Sequence, residues 1–522
     1  MKVKKTNFMA MCCDGFFIIV ALLLATFEFD FWVKCSFYLY TFAVVVNLCC
    51  LYRIKKSLKS FAIICYVLSS LFHISQIYFG YIGYSSRYCV FSRLSLQSCQ
   101  YGLTYAFICI HIAYFVYFLL CKSVCRNINI NDYKGENVDK IDEFLVRVFF
   151  YFLFSLKVVI RIYLFYVSYT RGYIALLASM NALTSTIVMA TDVFSIVFLK
   201  EICGYKERKI WVAIIGFTEI AFMLSGSRIQ GITYILLLLL FIDTSKATNR
   251  KKRLNKLQYI IIAIFLVILL PLISGSRFSE KGTVGFIGSG NLLQSIIEEF
   301  GMTILNTVVA IQNKSQINFL HGLSYYGGLA YIFPNIGDIF NKIENSIYYT
   351  NQLKTYFTYT YGGSNIAESY MNFGYYGCII FVFVGVAIAK IDEITEKITQ
   401  KNVAYQLFAI MLVYQFILWT RSYFYQMMRL TVQNFVSGAV GIAALFALIR
   451  GFTNKENRLV GNFWVDITKV TIYVMLPICF IGAVILVSQG VPQTMDGSIN
   501  YLALNGNTQT LYLGPAKIVF KK

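Results

Sequence analysis

Apolar runs of about 20 residues recur along this chain, and that recurrence limits its fold more than any other feature. Twenty residues of helix cross the hydrocarbon core of a bilayer. The runs fall at about 8–27, 31–52, 60–82, 101–121, 144–168, 173–199, 210–225, 229–243, 257–273, 365–389, 403–420, 430–449 and 467–488. Composition agrees: 58% of the 522 residues are hydrophobic and 14% charged, where a soluble domain carries roughly a quarter charged residues. The expectation is an all-α polytopic membrane protein with about 12–14 transmembrane helices. Phe8–Phe27 is longer than a signal-peptide apolar region and has no small-residue cleavage site, so it reads as an uncleaved first span.

A net charge of +21 invites a nucleic-acid reading, but its distribution follows membrane topology instead. Connections in phase with the N-terminus hold Lys2, Lys4 and Lys5, then Arg53, Lys55, Lys56 and Lys59, Lys200, Lys206, Arg208 and Lys209, and the dense run Lys246–Lys256. They carry roughly twice the Lys and Arg of the opposite set, which places the N-terminus in the cytoplasm. The long connection 274–364 is then external, within a single transmembrane domain 1–522 that ends in a tail, 489–522. Apolar helical stretches inside this loop, such as Leu292–Val309, read as a re-entrant or interfacial helix, and its Gly-rich ends read as hinges.

Candidate functional residues cluster at the external face. Ser225-Gly226-Ser227-Arg228 and Ser274-Gly275-Ser276-Arg277 repeat one tetrapeptide, and Arg421 and Arg429 bracket a short external connection. Arginine is disfavoured outside, and its planar fork suits phosphate oxygens, so Arg228, Arg277, Arg421 and Arg429 read as anion ligands. Lys157 and Arg161 share one face of a span, and Arg161 joins the same set. Asp192 and Glu219 lie in spans as counter-ions or catalytic groups. Glu368 leads the candidate general bases, ahead of His321, with Asp338 and Glu280 behind; Glu368 is expected at the membrane surface. The tyrosines of 325–370 suit sugar stacking or a membrane interface. Most of the 14 cysteines sit in apolar runs, and a Cys89–Cys99 disulfide is one open reading of their short shared connection. No metal-ligand spacing and no phosphate-binding Gly-rich Lys motif is present, so neither metal, cofactor nor ATP hydrolysis is expected in this chain.

Leu224-Ser-Gly-Ser-Arg228, His321-Gly-Leu-Ser-Tyr325, Gly363-Ser-Asn-Ile-Ala-Glu-Ser-Tyr-Met-Asn-Phe-Gly374 and Arg421-Ser-Tyr-Phe-Tyr-Gln-Met-Met-Arg429 resemble Wzy-type O-antigen or capsular repeat-unit polymerases over about 200–450. The resemblance implies a GT-C-like, metal-independent membrane glycosyltransferase at the bacterial cytoplasmic (inner) membrane. It would join undecaprenyl-diphosphate-linked oligosaccharide units, donor and acceptor, into O-antigen, capsule or exopolysaccharide. The arginines would hold the diphosphate, Glu368 or His321 would be the base, and a chain-length regulator and a flippase would be partners. A lipid-linked oligosaccharide flippase and an O-antigen ligase are the alternatives.

Overall fold

The computed structural model describes residues 5–58, 60–83, 89–121, 140–171, 176, 179, 182–223, 228–241, 292–330, 350–353, 356, 362–398, 403–428, 499–502 and 508–511. The spans placed at 257–273, 430–449 and 467–488, with Arg277, Arg429, Glu280 and Asp338, lie outside these residues.

In chain order the helices are α1 (Lys5–Leu24), α2 (Phe29–Lys55), α3 (Phe61–His73), α4 (Ile77–Ile82), α5 (Leu96–Leu120), α6 (Lys140–Arg171), α7 (Ala182–Val197), α8 (Tyr205–Met223) and α9 (Arg228–Phe241). They continue as α10 (Leu292–Gly301), α11 (Leu305–Gln312), α12 (Leu323–Ala330), α13 (Thr350–Leu353), α14 (Asn365–Phe373), α15 (Ile380–Glu396), α16 (Val403–Trp419) and α17 (Phe424–Met428). Among the described residues, Lys5–Leu24, Phe29–Lys55, Leu96–Leu120 and Val146–Arg171 are long and apolar enough to cross a membrane, and Phe61–His73, Gln230–Phe241 and Tyr405–Trp419 are shorter apolar helices. The chain is therefore a mostly helical, multi-pass membrane protein. It departs from an all-α description in one antiparallel hairpin, Ile499–Leu502 with Thr508–Leu511, in register Ile499↔Leu511.

Two expected spans are broken. The run 60–82 divides into α3 and α4 where Ser75 Oγ donates back to the Leu71 carbonyl at 2.6 Å, a side chain competing with the helical ladder. The gap is filled by α10: Gln76 donates to the Ile297 carbonyl at 3.3 Å, and Gly301 lies against Ser75 and Gln76. The run 365–389 divides at Gly374, whose φ of +60° ends α14; a 3₁₀ turn, Gly374–Ile379, then leads into α15.

Helix α5 is the hub, packing against α1, α15 and α11. Residues 301–311, read as re-entrant or interfacial, are buried between α3 and α5. Close approach needs small residues: a Cβ on Gly385 would stand 2.3 Å from the Ala113 carbonyl oxygen of α5. Helices α6, α7, α8, α9 and α16 pack together as a further group of neighbours. Cys89 and Cys99 are buried free thiols, so the disulfide reading is not realised.

Candidate functional site

The segments that bear Glu368, His321 and Arg421 meet at one end of α14. Ser364 caps this helix, its Oγ accepting the Ala367 amide at 3.2 Å, which starts α14 where the Gly362-Gly363 pair ends. Gly363 lies so close to the 421–422 backbone that a Cβ there would be 2.6 Å from the Ser422 carbonyl carbon. Asn306 reaches in from α11 and donates to the Gly362 carbonyl at 3.1 Å.

Glu368 is fully buried, not at a surface. Its Oε1 accepts from Ser324 Oγ at 2.8 Å, and its Oε2 accepts the Phe424 amide at 2.9 Å. Asn372 Nδ2 donates to Ser324 Oγ at 2.8 Å and to the Glu368 carbonyl at 2.7 Å. The carboxyl thus ties α12, α14 and α17 together. The Gly-Gly-Ser hinge before it suggests exposure from sequence. Folding turns that hinge inward against 421–422, and the apolar faces of α12 and α17 cover the carboxyl. His321 is exposed on the neighbouring turn, with φ of +47°, and its amide donates to the Asn372 carbonyl at 3.0 Å.

Sequence reasoning passes over His73, which lies inside an apolar run. It is fully buried, with Nδ1 3.0 Å from the Ser69 carbonyl and Nε2 3.0 Å from Ser364 Oγ. Facing a carbonyl, Nδ1 carries the proton, and Nε2 accepts the Ser364 hydroxyl. Beside it Arg421 lies 5.7 Å from the Phe72 ring centre and lines a cleft of about 280 Å³ with Leu68, Ile232, Thr233, Leu236, Phe300 and Ile417. One guanidinium and one hydroxyl in an apolar cleft between α3, α9, α10 and α16 suit a small polar or amphipathic occupant.

The other intramembrane cation does not join this cleft. Arg161 donates to Glu219 Oε2 at 3.3 Å and to Gln230 Oε1 at 3.4 Å, and stacks 3.5 Å over the Phe222 ring. Lys157 bridges Asp192 and Glu219, the latter at 2.5 Å. Two cations and two carboxylates from α6, α7 and α8 balance inside the protein, which supports the counter-ion reading of Asp192 and Glu219. Arg228 is the first residue of α9. Among the described residues no cluster of His, Cys, Asp and Glu could hold a metal ion.

Fold and site together define a multi-pass helical protein of the bacterial cytoplasmic membrane with polar knots buried between its helices. Residues 15–456 match the family model of the O-antigen polysaccharide polymerase Wzy, and the chain belongs to that family. Residues 418–520 match a second family model, the potassium-transporting ATPase A subunit. Curated relatives are potassium-transporting ATPase potassium-binding subunits. That of Rhodospirillum centenum is 54% identical over 97 residues, covering 19% of this chain and 17% of the relative. That of Pseudomonas aeruginosa is 55% identical over 95 residues, covering 18% and 17%, and that of Bradyrhizobium diazoefficiens 52% over 96 residues, again 18% and 17%. The chain spans about a sixth of the length of these relatives. No solved structure matches it.

These relatives correct the expected activity. The polymerase reaction, its flippase and ligase alternatives, the glycosyltransferase assignment and the lipid-linked oligosaccharide partners are overturned by potassium-binding subunits at 50–55% identity. That expectation rests on residues 200–450 and takes the remainder of the chain as one more span and a tail. Apolar composition shows that a segment crosses a membrane, not what it handles there.

Proposed function

We propose that this chain takes part in potassium handling at the cytoplasmic membrane, through its segment 418–520. The observation that carries the reading is the 54% identity of 97 residues to a potassium-binding subunit. Identity at that level in a largely apolar stretch retains the residues on both faces of its helices, so packing partners and ion-facing groups are carried over together. The helical body supplies the frame: α16 and α17 lead directly into this segment, and Glu368 anchors α17 through the Phe424 amide. An ATP-hydrolysing subunit is the partner this reading requires, since the chain has no phosphate-binding Gly-rich motif of its own. The charge alternation supports a cytoplasmic N-terminus and an external 274–364.

The test is uptake. A bacterial strain lacking its own high-affinity potassium uptake, but keeping the ATP-hydrolysing partner, would receive the full chain or a form ending at Met428. Faster rubidium uptake and better growth at limiting potassium with the full chain only would support the proposal. Unchanged uptake with both forms would overturn it.

A further inference from the structure

A second buried polar knot lies between α1, α2 and α5, away from the cleft. Asp14 is near the middle of α1, Asn47 is in α2 and His111 is in α5, and all three are fully buried. These three helices are all of membrane-crossing length. Asp14 Oδ1 accepts from His111 Nδ1 at 2.6 Å and from Asn47 Nδ2 at 2.7 Å. Three polar atoms of the knot have no hydrogen-bond partner: Asp14 Oδ2, Asn47 Oδ1 and His111 Nε2.

Charge and valence point the same way. An isolated carboxylate is costly in an apolar bundle and needs a positive charge beside it. The groups within electrostatic reach of Asp14 are Cys13 on its own helix, Cys50 on α2, Tyr66 on α3 and Tyr114 on α5, and none is cationic. The basic group in contact with Asp14 is the His111 ring. A proton on this pair makes it neutral overall. If the ring holds it, the orphaned atoms are one donor, His111 Nε2–H, and two acceptors, Asp14 Oδ2 and Asn47 Oδ1. One water accepts from the first and donates to the other two. Buried water characteristically makes about three such bonds.

We infer that Asp14, Asn47 and His111 form an intramembrane site for one proton and one bound water, with the proton resting on the His111 ring. The rings of Phe17 and Phe107, 5.7 and 4.1 Å from the imidazole centre, close the site to lipid. The inference stands independently of the potassium reading, because it uses only residues before position 112.

The experiment is nitrogen-15 solid-state magnetic resonance of the full chain in lipid bilayers, with labelled histidine. The chain has three histidines, and loss of one signal in His111→Gln assigns the ring. At pH 7 both ring nitrogens of His111 should carry protons, Nε2–H should show a transfer peak from water, and Asp14→Asn should return the ring to one proton. A singly protonated His111 in the unaltered chain would overturn the inference, even if Asp14→Asn does not fold. Retention of both ring protons in a folded Asp14→Asn chain would overturn it equally, as would a doubly protonated ring without the water peak.

Discussion

Glu368 accepts the backbone amide of Phe424 at 2.9 Å across 56 positions of sequence. That bond joins the segment after the long loop to the short helix that opens the potassium-subunit-like stretch. With Ser324 on its other oxygen, Glu368 is an organiser of three chain segments rather than a solvent-facing base. Glu368→Ala leaves the Phe424 amide and the Ser324 hydroxyl without their acceptor, at about 1–3 kcal/mol for each unsatisfied buried group. A lowered melting temperature of the detergent-solubilised protein is expected, with Glu368→Gln milder because one acceptor oxygen survives. Equal melting of Glu368→Ala and the unaltered protein would show that the bond does not form.

Lys157 between Asp192 and Glu219 gives a charge-balance prediction. Lys157→Met leaves two buried carboxylates facing the single guanidinium of Arg161 and should destabilise by about 3–5 kcal/mol. Adding Asp192→Asn restores neutrality, so the double variant should recover much of that loss. A double-mutant cycle read by thermal unfolding checks it, and strict additivity would contradict it.

Gly363 tests the contact that buries Glu368. A methyl group at this position would overlap the Ser422 carbonyl carbon, so Gly363→Ala must push residues 421–422 outward. Overpacking of this kind costs about 1–3 kcal/mol. Faster proteolysis or thiol labelling of a cysteine placed at 422 is the expected result, relative to the same cysteine beside Gly363.

Cys89 and Cys99 are free thiols. Both should react with an alkylating reagent after unfolding without reductant, and reductant should not increase the mass added.

The sequence made the helical membrane class legible because burying a backbone in lipid demands long apolar runs, and α1, α2, α5 and α6 follow them within a few residues. It did not show the breaks at 74–76 and Gly374, because these depend on α10 filling one gap and on a positive φ at the other. The Lys157 and Arg161 pairing was readable, since four-residue spacing and two carboxylates in nearby spans suffice. Asp14, His73 and His111 were not: each hides in an apolar run, and only the fold brings Asn47 and Ser364 to them. The burial of Glu368 was equally invisible, because its cover comes from residues 44 and 56 positions away.

Potassium-dependent transport tests the central claim most directly. Rubidium uptake would be measured in cells that lack their own high-affinity system, keep the ATP-hydrolysing partner, and express the full chain or the form ending at Met428. The account predicts several-fold faster uptake with the full chain and background uptake with the shortened one. Background uptake with both, together with loss of long polysaccharide chains in the source strain when the gene is deleted, would contradict it.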